Sequence, residues 1–137
     1  MSKKSTLQFW DTASDYLDHH LKVIRQVSGH TIDSYRACLN SFIDYLESVE
    51  HVSRKKVSFQ NFGKETLKRY LAWMITERSL APKTCNLRMT AIRALLEYAA
   101  QEHLWVMPIY VDSCNIAGVK VPNRTIEYFE PDEMTAL

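Results

Sequence analysis

The stretch from Leu80 to Ala100, Leu-Ala-Pro-Lys-Thr-Cys-Asn-Leu-Arg-Met-Thr-Ala-Ile-Arg-Ala-Leu-Leu-Glu-Tyr-Ala-Ala, constrains the fold most. Cys85, Met89, Ile92, Leu96 and Ala99, widened by Leu95, recur at the helical period and predict one amphipathic helix. Pro82 suits its first turn, where a missing N–H costs nothing. Off the stripe, the first three turns carry Lys83, Thr84, Asn86, Arg88, Thr90 and Arg93, with no acid between Glu77 and Glu97. Cations, hydroxyls and amides of this kind contact phosphate oxygens. The same residues also describe an ordinary solvated basic helix, so the pattern alone leaves two readings open.

The rest of the chain has to supply partners for that apolar stripe. With 137 residues but only three glycines and four prolines, it has few places to turn, which predicts long helices and an all-α domain with a real core. There is no apolar run of about 18 residues and hence no expected membrane span. Met1 to Trp10 contains no apolar signal-peptide region, so a soluble, cytoplasmic protein is expected. Cys38, Cys85 and Cys114 are widely spaced and form no C-x-x-C pair, which predicts reduced thiols and no metal site.

Residues 1–6 are polar, with Thr6 a candidate cap. From Leu7 to about Arg25, Trp10, Ala13, Leu17, Leu21 and Ile24 predict a first helix, flanked by Phe9 and Tyr16. Gln26-Val-Ser-Gly-His predicts a turn with Gly29 left-handed. A second helix is expected from Thr31, with Tyr35, Leu39, Phe42, Ile43 and Leu46 on its inner face. Thr31 is a candidate N-cap and a candidate phosphate contact, two roles that can hold at once. Ser48 to Gly63 is a connector whose Val57, Phe59 and Phe62 tuck against the core, with a basic Arg54-Lys55-Lys56 triplet. Lys64 to Arg78 forms a third helix on Leu67, Tyr70, Leu71, Met74 and Ile75. The apolar residues Leu104 to Val111 are expected to lie across the bundle end. Asp112 to Arg124 lacks a helical period and is expected to be an extended linker. Phe129-Glu-Pro-Asp-Glu-Met predicts a new helix with Pro131 in its first turn, cut off at Leu137, so a further domain is expected beyond it.

Charge is segregated. Val52 to Arg93 holds ten Lys or Arg against two acids, while the whole chain is only +1. A concentrated basic face attracts a polyanion even where total charge is low. No phosphate-binding glycine loop, H-E-x-x-H or nucleophile elbow occurs, and no catalytic residue is assigned.

Three segments carry a family resemblance. His30-Thr-Ile-Asp-Ser-Tyr-Arg-Ala-Cys-Leu, Lys83-Thr-Cys-Asn-Leu-Arg-Met-Thr-Ala-Ile-Arg-Ala-Leu-Leu and Phe129-Glu-Pro-Asp-Glu-Met-Thr-Ala-Leu, in that order, resemble the N-terminal core-binding (SAM-like) domain of tyrosine recombinases, the phage-integrase and Xer-like family. The resemblance implies a four-helix SAM-like bundle at 7–108, a linker at 109–128 and the start of a catalytic domain at 129–137. It also implies one half of a clamp on double-stranded DNA, with the second and fourth helices in the major groove. By position, His30, Thr31, Ser34, Lys83, Thr84, Leu87, Arg88 and Ala91 would face DNA. No metal or nucleotide cofactor is implied, and further protomers would assemble on DNA. The tyrosine nucleophile would lie in the missing domain. Asp33 departs from the pattern, since a carboxylate there repels phosphate unless it accepts from a cytosine amine. Two other functions suit the same residues: a helical protein-interaction module with an acidic partner, or a DNA-binding regulator without recombinase activity.

Overall fold

A computed structural model describes residues 3–120, with side chains from residue 8 onward. Among the described residues all regular structure is helical, as the scarcity of Gly and Pro requires. Helix α1 spans Lys3–Asp15 and continues without a break as a π-helix over Tyr16–Ile24. Helix α2 spans Gly29–Ser48, α3 Lys64–Thr76, α4 Pro82–Glu102 and α5 Met107–Cys114. Thr6 therefore lies within α1 rather than at its cap. The new helix expected at Phe129 and Pro131 lies outside the described residues.

Helix α4 is the spine. Cys85, Met89, Ile92, Leu95, Leu96 and Ala99 are all at most 1% exposed, the stripe its period predicts. Leu39, Phe42, Ile43 and Leu46 of α2 and Leu67, Tyr70 and Met74 of α3 meet it in one continuous core. The connector behaves as expected. Two 3-10 turns shape it: Val57, just after the first, and Phe59 and Phe62, on the second, are all buried, and a Ser58–Asn61 capping box fixes the second turn. Phe62 packs between Phe42 and Phe9, with ring centroids 4.9 and 5.4 Å away.

Several expectations need correction. Ile24 is 60% exposed, whereas Phe9 and Tyr16, read as flanking residues, belong to the core. The π-helix explains Ile24: its i→i+5 turn is wider than the α-turn, so a stripe counted at 3.6 residues drifts off the core after Leu21. Ile75 is also exposed, lying at the last turn of α3, beyond the core.

The left-handed residue of the first turn is Gln26 (φ 51°), and Gly29 instead opens α2. Ser28, not Thr31, is the N-cap, its hydroxyl accepting the Thr31 N–H at 3.2 Å. Finally, α5 runs on to Cys114 where an extended segment was expected from Asp112. This helix is short, carries Pro108 in its first turn, and mixes apolar and polar residues without an apolar stripe, so it carries no readable period. Ser113 is fully buried in it and donates its hydroxyl to the Tyr110 carbonyl at 2.6 Å.

Candidate nucleic-acid interface

Helices α2 and α4 lie side by side and run in opposite directions. Thr31 and Tyr35 near the start of α2 share a cleft of about 490 Å³ with Ala94, Glu97 and Tyr98 of α4. Farther along α2, Cys38 feels the charge of Arg88, near the start of α4. The antiparallel arrangement therefore sets the start of α2, with His30 and Thr31, beside the last turns of α4. The start of α4, with Lys83 and Thr84, lies toward the other end of α2, so the two groups of residues singled out in the sequence lie at opposite ends of the helix pair.

Their positions differ within that strip. His30 and Thr31 are exposed in the first turn of α2, where the helix N-terminus offers partial positive charge. Ser34, one turn on, is half-buried. On α4, Lys83 is exposed and Leu87 is 44% exposed, while Thr84 and Arg88 are half-buried. Ala91 is fully buried. It presents no surface to a ligand and serves as packing, a correction to its place among the candidate contacts. Asp33 is exposed in the same first turn of α2, placed to favour the helix dipole.

Ion pairing sorts the cations further. Arg36 is held by Asp18 at 2.6 Å, Arg54 by Asp44 at 2.5 Å, and Arg69 by Glu50 at 2.9 Å. Arg54 also donates to Asn40, so of the basic triplet only Lys55 and Lys56 stay unpaired among the described residues. Arg78 lies over the Trp73 ring, 5.5 Å from its centroid. Lys83 has no carboxylate partner among the described residues. An unpaired ammonium is cheaper to bring onto a phosphate than one that must first break an ion pair.

Arg88 has a different setting. Its side chain is half-buried, and its charge acts on Cys38 of α2, Tyr70 of α3 and Cys85 of α4. Burial pushes both thiols up, and Arg88 opposes that shift. Both cysteines are free. Two relevant residues had no signal in the sequence. Arg25 lines the cleft beside Thr31, at the end of a π-helix that no period reveals. Tyr70 reads only as core, yet its hydroxyl has polar neighbours.

A family comparison covers these same helices. The model described as "Phage integrase, N-terminal SAM-like domain" matches residues 15–103, well over half of the chain. The chain belongs to this family. Comparison with curated proteins gives no match, and neither does comparison with solved structures. The match to the phage-integrase domain begins at the junction of α1 with the π-helix and ends just after α4, so it contains the whole α2–α4 strip. Among the described residues no cluster of His, Cys, Asp or Glu is arranged to hold a metal, and no helix is long and apolar enough to cross a membrane.

Proposed function

We propose that this phage-integrase domain binds duplex DNA as one arm of the clamp of a site-specific tyrosine recombinase, Xer-like in type. In this proposal residues 7–108 are the DNA-binding unit, 109–128 lead out of it, and 129–137 begin a catalytic domain that cleaves and rejoins the strands. Further protomers would join on DNA.

The observation that carries the proposal is the α2–α4 strip inside the matched region, with its unpaired Lys83. His30 and Thr31 at one end, Ser34 in the middle, and Lys83, Thr84, Leu87 and Arg88 at the other supply N–H, O–H and cationic donors. Leu87 adds an exposed apolar side chain, which suits a thymine methyl group. Lys83 and Arg88 can meet phosphates or guanine edges. Amide chemical-shift mapping with a short duplex tests the proposal. The largest changes are expected in the first turns of α2 and α4. Changes confined to Lys55 and Lys56 would move the surface to the connector.

A protein-interaction module is the second reading. It is favoured by Leu104, 81% exposed, beside the exposed Trp105, Met107 and Val111 at the bundle end. Such a cluster suits an apolar partner rather than DNA.

A further inference from the structure

The cleft of about 490 Å³ between the start of α2 and the end of α4 borders a buried hydroxyl that the fold leaves unpaired among the described residues. Tyr16 of the π-helix lines the cleft and is 5% exposed. Its ring packs against Tyr98 with 5.2 Å between centroids, and Tyr98 packs against His20 at 4.8 Å. The Tyr98 hydroxyl is taken, since it donates to Asp15. The Tyr16 hydroxyl makes no hydrogen bond among the described residues. Burial pushes this phenol up to about 12, so at neutral pH it keeps its proton and is a donor. A buried donor without an acceptor costs free energy, and the cleft is the space from which an acceptor reaches it.

The rest of the lining selects the ligand. Tyr35 lines the cleft from α2, and the rings of Tyr16, His20 and Tyr98 line it from the π-helix and α4. Tyr35 has no ring contact with them among the described residues, so space remains between. A slot walled by aromatic rings suits a planar unsaturated group. Arg25 and Thr31 border it where the π-helix gives way to α2. Arg25 is exposed and joins no ion pair among the described residues. The Thr31 hydroxyl accepts from Ser28 at 3.0 Å, which leaves its own proton to donate. Both side chains are of the phosphate-binding kind. Glu97, exposed and equally without an ion pair among the described residues, borders the cleft from α4 and can accept from an exocyclic amine. A bare anion leaves the rings unused and meets Glu97, and a simple cation meets Arg25. A nucleotide uses every one of these groups, and the volume is of the size that small-molecule sites have, about 300–1,000 Å³.

We propose that the cleft binds one nucleotide with an amine-bearing base. The base stacks between Tyr35 and the Tyr98 ring, its amine donates to Glu97, an acceptor on the base takes the Tyr16 hydroxyl, and the phosphate meets Arg25 and Thr31. Adenine, cytosine and guanine carry such an amine and thymine does not, so thymine is disfavoured. The nucleotide is either free in solution or unpaired in a strand, and the recognising chemistry is the same. The site does not use Lys83, at the other end of the helix pair, so its failure and the failure of duplex binding are told apart.

The test is isothermal titration of the full chain with deoxycytidine monophosphate and thymidine monophosphate, with a short single-stranded oligodeoxycytidylate as a further arm. The cytosine nucleotide is expected to bind saturably and at least about fivefold more tightly than the thymine nucleotide. Tyr16→Phe is expected to weaken it about three- to tenfold, the scale of one hydrogen bond. The thermal midpoint of the free variant is expected to stay level or rise, because an unpaired buried hydroxyl is gone; a hydroxyl with a structural role would lower it. Glu97→Gln is expected to shrink the preference over thymine to below about twofold. Arg25→Ala, an exposed change, is expected to weaken the nucleotide but not the nucleoside deoxycytidine, and it decides the matter if Tyr16→Phe fails to fold. Mononucleotide binding reduced by these variants assigns the cleft to a free nucleotide, and binding of the single strand alone, reduced in the same way, assigns it to an unpaired nucleotide of a strand. No saturable binding of either probe, or binding that Tyr16→Phe leaves unchanged in a folded protein, overturns the inference.

Discussion

Asn86 and Val119 exchange two hydrogen bonds: the Asn86 amide donates to the Val119 carbonyl at 2.8 Å and accepts the Val119 N–H at 2.8 Å. One side chain thereby satisfies both backbone groups of a residue that has left regular structure, and it ties the exit of the domain to α4. Asn86→Ala is expected to cost about 1–2 kcal/mol, the worth of two such bonds. Hydrogen exchange would locate the loss, with the Val119 amide exchanging much faster and the α4 core unchanged. Gly118 is part of the same joint. A Cβ there would come within 3.1 Å of the Asn86 side-chain oxygen, so Gly118→Ala is expected to loosen the same pair.

Three helix ends share one device, and it is open to improvement. Gln26, His51 and Ser79 all adopt positive φ without being glycine. The following residues, Val27, Val52 and Leu80, send their N–H back six residues to Leu21, Leu46 and Met74 at 2.8–3.0 Å and pack on the core. A side chain in the left-handed region costs free energy that glycine avoids. Ser79→Gly is expected to raise stability by about 0.5–1 kcal/mol after the extra chain entropy of glycine is set against it. Urea denaturation with an unchanged m-value would check it.

Acid sensitivity should trace in part to Glu50. Hydrogen bonds from Arg69, then from Tyr45, hold its carboxyl below its ordinary value of 4.5. The Tyr45 phenol, through burial first and Glu50 second, is pushed up to about 12. A depressed carboxylate adds stability that is fully present above its unfolded pKa and is lost as pH falls through the folded value. Glu50→Gln keeps an acceptor for Tyr45 but removes the charge. The wild type is expected to lead in thermal midpoint at pH 7, and the two proteins to converge as pH falls below about 4.5. A constant gap from neutral to acid pH would assign the effect to packing instead.

Core burial sets the largest effects. Phe62 is 1% exposed and touches the rings of Phe9, Phe42 and Phe59. Phe62→Ala is expected to cost about 3–5 kcal/mol, because the connector cannot follow the cavity inward without breaking its capping box. Chemical denaturation would read the loss directly.

Much of this architecture was legible in the residues. The stripes of α2 and α4 kept the regular period, so their inner faces could be named before any geometry was known. Val57, Phe59 and Phe62 were legible as large apolar residues in an otherwise polar connector. The π-helix was not, because a register counted at 3.6 residues carries no sign that the turn will widen; Ile24 was misplaced for that reason. Helix α5 escaped because its eight residues are too few to show a period. In the candidate interface, helical position separated Lys83 from the core but could not tell half-buried Arg88 from buried Ala91. Both fall on or beside the inward arc, and only the packing of α2 and α3 decides how much of each remains open.

The central claim is that the α2–α4 strip binds the DNA backbone, and a salt titration tests it most directly. Anisotropy with a mixed-sequence duplex would be measured from about 50 to about 200 mM salt for the wild type and for Lys83→Ala. Binding is expected to weaken steeply with salt, and the log–log slope of the variant to be smaller by about one phosphate's worth. Absence of binding at the lowest salt, or an affinity that salt and Lys83→Ala both leave unchanged, would contradict the claim.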